Sequence, residues 1–372
     1  MQATRAIVHL DRFLGNLRAV QERVGGRAVC VPVKADAYGH GALAIARASL
    51  GAGASCLGVA SVQEGAALRE GGISAPILLF SQPLPAEIPG IITNRLTPLV
   101  SDGEYILELD RAAQAAHALV PVHLKIDTGM GRIGCPSGDA PVLARQIAAC
   151  AALRHEGTAT HLAASDSTDP DGRAYTERQI GCFNRALDSI RAAGLNPGIV
   201  HAANSGAVAL HPNAWYDMVR PGILLYGYNL AGDDDALPPL NAAPVMELRT
   251  NVVLIKQVKK GEAISYGMTW IAPRDTEIAV LPVGYADGLP RLASNKWQAV
   301  IGGREYPLAG RICMDQCMAD IGPAGEVSRW DEAVLFGGPA PSAAVLAGRI
   351  GTIPYEITCN ISKRVPRFYR DP

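Results

Sequence analysis

The chain has 372 residues, of which 48 % are hydrophobic and 19 % charged, with 34 Lys and Arg against 35 Asp and Glu. That apolar fraction builds a core and excludes a mainly disordered chain. The net charge of -1 argues against a nucleic-acid partner, which calls for a basic excess or stripe. No apolar stretch reaches the roughly 18 uninterrupted residues of a membrane span, so no membrane association is expected. The N-terminus, MQATRAIVHLDRFLGNL, puts Asp11 and Arg12 where a signal peptide would need its apolar run. The expectation is a cytoplasmic protein. Cys30, Cys56, Cys135, Cys150, Cys182, Cys313, Cys317 and Cys359 are scattered without a paired framework, and reduced, mostly buried thiols are expected. Cys313 and Cys317 are close, but no second pair or His cluster completes a zinc site, so no metal is expected.

From residue 29 to 226 short β-rich apolar runs alternate with amphipathic, Ala-rich stretches. The runs are 29–33, 56–60, 77–80, 96–100, 122–126, 157–161, 199–202 and 218–225. Helical patterns lie between them, at 41–50, at 65–70 and over a long stretch at 175–193. Alternation of this kind predicts a parallel sheet of βα units, and about eight units favour a closed (β/α)8 TIM-like barrel. An open doubly wound sheet would need a Gly-rich phosphate loop after the first strand, and none is present. Near residue 230 the texture changes. Gly232-Asp233-Asp234-Asp235, followed by Pro238-Pro239, reads as a stiffened polar linker. Beyond it come period-2 runs at 250–257, 277–282, 299–306 and 318–321, with helical periodicity returning only at 343–349. The expected organisation is an α/β barrel over 1–235 and a mostly antiparallel β domain over 236–372.

A barrel active site lies where the strands end. Lys34 follows the first run. Asp127, Thr128, Gly129 and Arg132 follow the fifth. His161 ends the sixth, and Asn204-Ser205-Gly206 follows the seventh. The eighth run contains Arg220-Pro221-Gly222-Ile223. Each has a bland reading: a solvated lysine, a core histidine, an N-capping Asn-Ser pair, a surface arginine. Their joint place at one rim points instead to a site. Barrels commonly hold phosphate after strands seven and eight, and Ser205-Gly206 with Gly222-Ile223 offers a hydroxyl and approachable N–H groups. A lysine facing a phosphate cradle points to pyridoxal phosphate.

VKADAYGHG at 33–41, KIDTGMGR at 125–132, HAANS at 201–205 and VRPGI at 219–223 resemble the motifs of the alanine racemase family. So do SYG at 265–267, VGYADG at 283–288, CMDQ at 313–316 and PYE at 354–356. The resemblance covers nearly the whole chain in the right order. It implies a pyridoxal 5'-phosphate enzyme that interconverts L- and D-alanine as a homodimer with shared active sites, for cell-wall supply or catabolism. Lys34 would hold the cofactor and act as base on one face. Tyr266, from the partner subunit, would be the base on the other. Tyr38, Asn204, Ser205, Gly222, Ile223 and Tyr355 would bind the cofactor, mainly its phosphate. Arg132 and Met314 would contact substrate, with Asp315 alongside as a catalytic group. Arg220 would face the pyridine nitrogen, and His161 would link it to Tyr266. In many members the lysine matching Lys125 is carbamylated and steadies the arginine matching Arg132. A guanidinium accepts no proton, so Arg220 would leave the ring nitrogen unprotonated and weaken its electron sink. Relatives with broader or serine-preferring range share the barrel. A single-domain cofactor carrier is disfavoured by the β domain with Tyr266 and Asp315, and a cofactor-free aldolase by the phosphate cradle.

Overall fold

The computed structural model describes residues 3–229, 240–323 and 326–371. The stretch read as a linker, and with it the expected boundary at 235 and 236, lies outside the described residues. The chain divides into two compact units. One holds residues 14–37 and 42–242, the other 1–13, 38–41 and 243–372.

The first unit is a nearly closed barrel of eight parallel strands. They are Ala28–Pro32, Cys56–Val59, Ile77–Leu79, Thr97–Val100, Val120–Asp127, Leu153–Ala159, Ile199–His201 and Met218–Val219. Each pairs with the next as far as the seventh, and the eighth returns to the first. Between the seventh and eighth the ladder gives way to single bonds. Asp217 N–H donates to Val200 O at 3.0 Å and Arg220 N–H to Ala203 O at 2.8 Å. Side chains of Cys30, Cys56, Leu78, Leu99, Ala159 and Met218 cluster in the core, as expected where both faces of every strand are covered. All eight expected runs contain a strand. Two end early. The sixth strand stops at Ala159, so His161 stands two residues beyond it. The eighth is only Met218–Val219, because Pro221 cannot donate to a ladder, and Ile223–Tyr226 is a short 3-10 helix.

The second unit is mostly β. A six-stranded sheet runs Arg304–Pro307, Gln298–Ile301, Glu332–Phe336, Met246–Asn251, Arg5–His9, Arg367–Arg370. A three-stranded antiparallel sheet is built from Leu254–Val258, Thr276–Leu281 and Cys317–Gly322. Three features differ from the sequence reading. Arg5–His9, counted there with the barrel, pairs antiparallel to Met246–Asn251 and parallel to Arg367–Arg370. Its alternation carries no mark of which sheet it joins. The run 250–257 is split at Val252-Val253 between two sheets. The run 299–306 is a hairpin turned at Gly302-Gly303, whose φ of 58° and 81° suits the primed turns that match strand twist. Of the thiols, Cys30, Cys56, Cys135 and Cys317 are buried, and the other four are only half-buried. No described helix is long and apolar enough to cross a membrane.

Candidate active site

Lys34 stands just past the first barrel strand, half-buried, and opens a turn of unusual hand. Ala35, Asp36, Ala37 and Tyr38 all have φ between 51° and 54°. A left-handed helical residue other than glycine costs about 1–2 kcal/mol, so such a run persists only where its surroundings hold it. Three bonds do so. Ala35 N–H donates to Glu64 Oε1 at 2.7 Å, Ala37 N–H to Val33 O at 2.8 Å, and Asp36 Oδ1 accepts from Ala42 N–H at 2.8 Å. The other oxygen of Glu64 accepts from Ala60 N–H. Glu64 thus braces the lysine turn from the second βα unit, and nothing in its local sequence signals that.

Arg220 lies buried in the barrel unit with no carboxylate against it among the described residues. Its guanidinium donates to Thr160 O at 2.8 Å, Ala202 O at 3.2 Å, His201 Nδ1 at 2.5 Å and, more weakly, His161 Nδ1 at 3.4 Å. Because arginine only donates, proton positions follow. His201 Nδ1 is bare, so its proton sits on Nε2 and points at His123 Nδ1, 2.7 Å away. Both rings are neutral. Burial pushes all three histidines down, and the charge of Arg220 adds to it: His123 to about 3, His161 and His201 well below the usual range. For His161 the charges of Lys125, Arg132 and Lys34 push in the same direction. The positive charge of the cluster therefore rests on Arg220, not on His161. Burial lowers Arg220 itself to about 10.

Lys125 is buried on the fifth strand, with Nζ donating to Ile126 O at 3.2 Å. Burial, then Arg220, brings its amine down to about 7. Arg132 is exposed on the following turn. Gly134, at φ 142°, closes that turn so tightly that a Cβ there would lie 2.4 Å from Asp127 N. His123 is two residues before Lys125 and shares its strand face. That spacing could have revealed it, but a lone histidine inside an apolar run reads as core.

Across the barrel rim, Ser205 Oγ accepts from Gly222 N–H at 2.8 Å and Leu224 N–H at 3.2 Å. Ser205 and Ile223 each begin a short helix, so their N–H groups have no intrahelical acceptor. Asn204 turns away from this cluster. It caps the helix at Ala207 N–H, receives Ser165 Oγ at 2.5 Å and donates to Leu162 O. Its bland reading as an N-cap is the one the geometry displays.

The second unit holds the remaining residues, in two groups. The rings of Tyr38 and Tyr355 lie 5.8 Å apart. Tyr266 is 72 % exposed on a loop whose Ser265 and Met268 have positive φ. Ser265 Oγ donates to Arg311 O at 2.6 Å and lies 3.4 Å from Cys313 Sγ. That joins the Tyr266 loop to the turn carrying Met314 and Asp315. Arg364 links Asp315 to Asp287 at 2.8 and 2.7 Å.

Residues 8–230 match the family profile described as alanine racemase, N-terminal domain, and residues 245–369 its C-terminal domain. The chain belongs to the alanine racemase family. It is 48 % identical over 378 residues to the alanine racemase of Treponema denticola, covering 100 % of this chain and 99 % of that one. It is 43 % identical to that of Symbiobacterium thermophilum, over 99 % of this chain and 97 % of the relative. Alanine racemase from Clostridium difficile 630 superposes with a TM-score of 0.93 at 33 % identity, covering 100 % of this chain and 96 % of that one. The alanine racemase of Bacillus anthracis with bound L-Ala-P gives 0.92 at 31 %, over 100 % and 96 %. These are isomerases that depend on pyridoxal 5'-phosphate. The residues present fit that group. The hydroxyl proton of Ser205 has no acceptor among the described residues, and phosphate oxygens accept. Arg220 is a buried cation with no carboxylate against it among the described residues, which suits a ring nitrogen that only accepts.

Proposed function

We propose that the chain racemises alanine by two bases on opposite faces, Lys34 in one subunit and Tyr266 of the partner subunit. The observation that carries this reading is the neutral-histidine cluster around Arg220. It offers a fixed guanidinium, rather than a carboxylate, where a pyridine nitrogen would lie. Pyridoxal phosphate, when bound, supplies the electron sink that acidifies the α-proton. Ser205, Gly222 and Ile223, with Tyr38 and Tyr355, would hold its phosphate. Lys34 takes the α-proton at Nζ on one face while the tyrosine oxygen returns one on the other, and the reverse run exchanges the roles. Tyrosine needs a cation to act near neutrality, since its ordinary pKa is about 10. Arg220 supplies it, and neutral His161, its Nδ1 toward Arg220, keeps Nε2–H for the tyrosine oxygen. Arg132 and Met314 would contact substrate, with Asp315 alongside. The exposure of Tyr266, Met268, Ile271, Leu292 and Met314 supports a second copy as the covering partner in a cytoplasmic homodimer.

The test joins activity to attachment. Purified protein should convert L-alanine to D-alanine faster than L-serine, and borohydride reduction should fix pyridoxyl label on Lys34. Label on Lys125 or any other lysine would remove Lys34 from its role.

Lys125 is read as a carbamylation site that steadies Arg132. With its amine near 7, about nine-tenths is neutral one unit higher, the form that adds carbon dioxide. Native mass spectrometry at pH 8 in bicarbonate should show one extra carbon dioxide, lost in Lys125→Ala and on acidification below about pH 6. A spectrum without the adduct would leave a plain lysine.

A further inference from the structure

We infer that Gln179 is a positioning residue that ties the loop carrying Arg132 to the loop carrying His161, and so sets how the substrate carboxylate is held. The inference rests on the roles proposed above for those two residues. Gln179 lies on the helix Pro170–Ala192, after the sixth strand, and is fully buried. A hydrocarbon side chain would fill that space without giving up hydration, so a buried amide calls for partners. All of its partners lie on the two loops. Oε1 accepts from Ala163 N–H at 2.9 Å. Nε2 donates to His161 O at 3.1 Å and to Thr128 Oγ1 at 3.3 Å.

The proton directions beyond Gln179 are fixed. Thr160 Oγ1 donates to Ile126 O at 2.9 Å, so in its 2.8 Å contact with Thr128 the proton belongs to Thr128. Thr128 therefore accepts from Gln179 and donates to Thr160. The chain Gln179, Thr128, Thr160, Ile126 runs one way, and the carbonyl of Thr160 is the one that receives Arg220. One turn back on the same helix face, Tyr175 donates its hydroxyl to Gly129 O at 2.5 Å. From the strand side, the Asp127 carboxylate accepts from Gly129 and Gly131 N–H at 2.8 and 2.9 Å. The backbone leading to Arg132 is thus gripped from both sides. Arg132 itself is exposed, and its side chain makes no hydrogen bond among the described residues. Its backbone is thus placed by these bonds, and the side chain by whatever that backbone allows it to reach.

The experiment measures alanine racemisation by the holoenzyme and competitive inhibition by propionate, a carboxylate of alanine's size without the amine. Gln179→Met keeps length and removes all three bonds. KM for alanine and Ki for propionate should rise together, by about 10-fold, with a smaller fall in kcat. Tyr175→Phe deletes one hydroxyl and touches only the Arg132 loop. Its KM and Ki should rise about 3-fold, by a larger factor than kcat falls. A merely structural role would lower Tm or cofactor content and leave Ki where it was. Unchanged Ki in both variants overturns the inference. Should Gln179→Met not fold, Tyr175→Phe decides alone, since it is isosteric and unchanged Ki there sinks the loop-holding argument. Arg132→Leu separates this from the reading beneath it. If that variant binds propionate like the parent, the role of Arg132 fails, whatever Gln179 does.

Discussion

Arg220→Glu is expected to lower kcat by about 100- to 1,000-fold, the range for losing one preorganised electrostatic partner of a reacting centre. The substitution reverses every interaction at the position. Arg220 donates to four acceptors: two imidazole Nδ1 atoms and the carbonyls of Thr160 and Ala202. A carboxylate donates to none of them unless protonated. The cheapest repair moves protons onto the histidines. Arg220 is the second cause, after burial, that holds His161 and His201 low, so its removal raises both. The pH–rate profile should therefore gain an inflection, with activity falling as pH drops through the raised histidine range. An acid facing the ring nitrogen would also let it keep a proton, strengthening the electron sink. A new visible absorption band during turnover should report that change. Arg220→Lys keeps a charge but not the planar fork, and should lose less than the glutamate variant without the new band. Racemisation at the parent rate with an unchanged spectrum would show that the residue does not tune the reaction.

The sequence and the structure part company in specific places, and each has a cause. The eight barrel strands are legible because runs buried on both faces are continuous and apolar. The strand Arg5–His9 is not, since both of its partners, Met246–Asn251 and Arg367–Arg370, lie more than 230 residues away in the chain. Lys34 stands out by position, while the left-handed turn that presents it does not. Ala35, Asp36 and Ala37 look like helix or turn residues, and the brace that forces their φ comes from Glu64 in the next βα unit. Ser205 and Asn204 are neighbours with the same local signal. Only the fold separates the hydroxyl that meets Gly222 from the amide that caps its own helix. His123, His201 and Gln179 are buried polar residues among apolar ones. In sequence such residues look like tolerated exceptions, and their meaning comes from partners on other barrel strands and on the loops beyond them. What reads least well is thus the layer that orients the chemistry, because its members meet only after the barrel closes.

Lys34→Ala and Tyr266→Ala, each expected to be inactive alone, should restore about a quarter of parental activity when unfolded, mixed equally and refolded together. Lys34 belongs to the barrel unit, and Tyr266 to the β unit on a loop that leaves it 72 % exposed. A tyrosine working from open solvent acts poorly as a base near neutrality. It needs cover, and exposed Met268, Ile271, Leu292 and Met314 supply an apolar setting for a second subunit. In a two-fold dimer such a contact would be made twice, so each subunit would lend its tyrosine to the other. Random pairing gives about half mixed dimers. Each mixed dimer has one site with neither change and one with both, so half of its sites work, and about a quarter of all sites are intact. If Lys34 and Tyr266 of the same subunit formed a site, every site would carry one defect and mixing would restore nothing. Differential tags read by native mass spectrometry establish that mixed dimers formed. Mixed dimers without activity would move Tyr266 to its own subunit's site or out of the proton transfer.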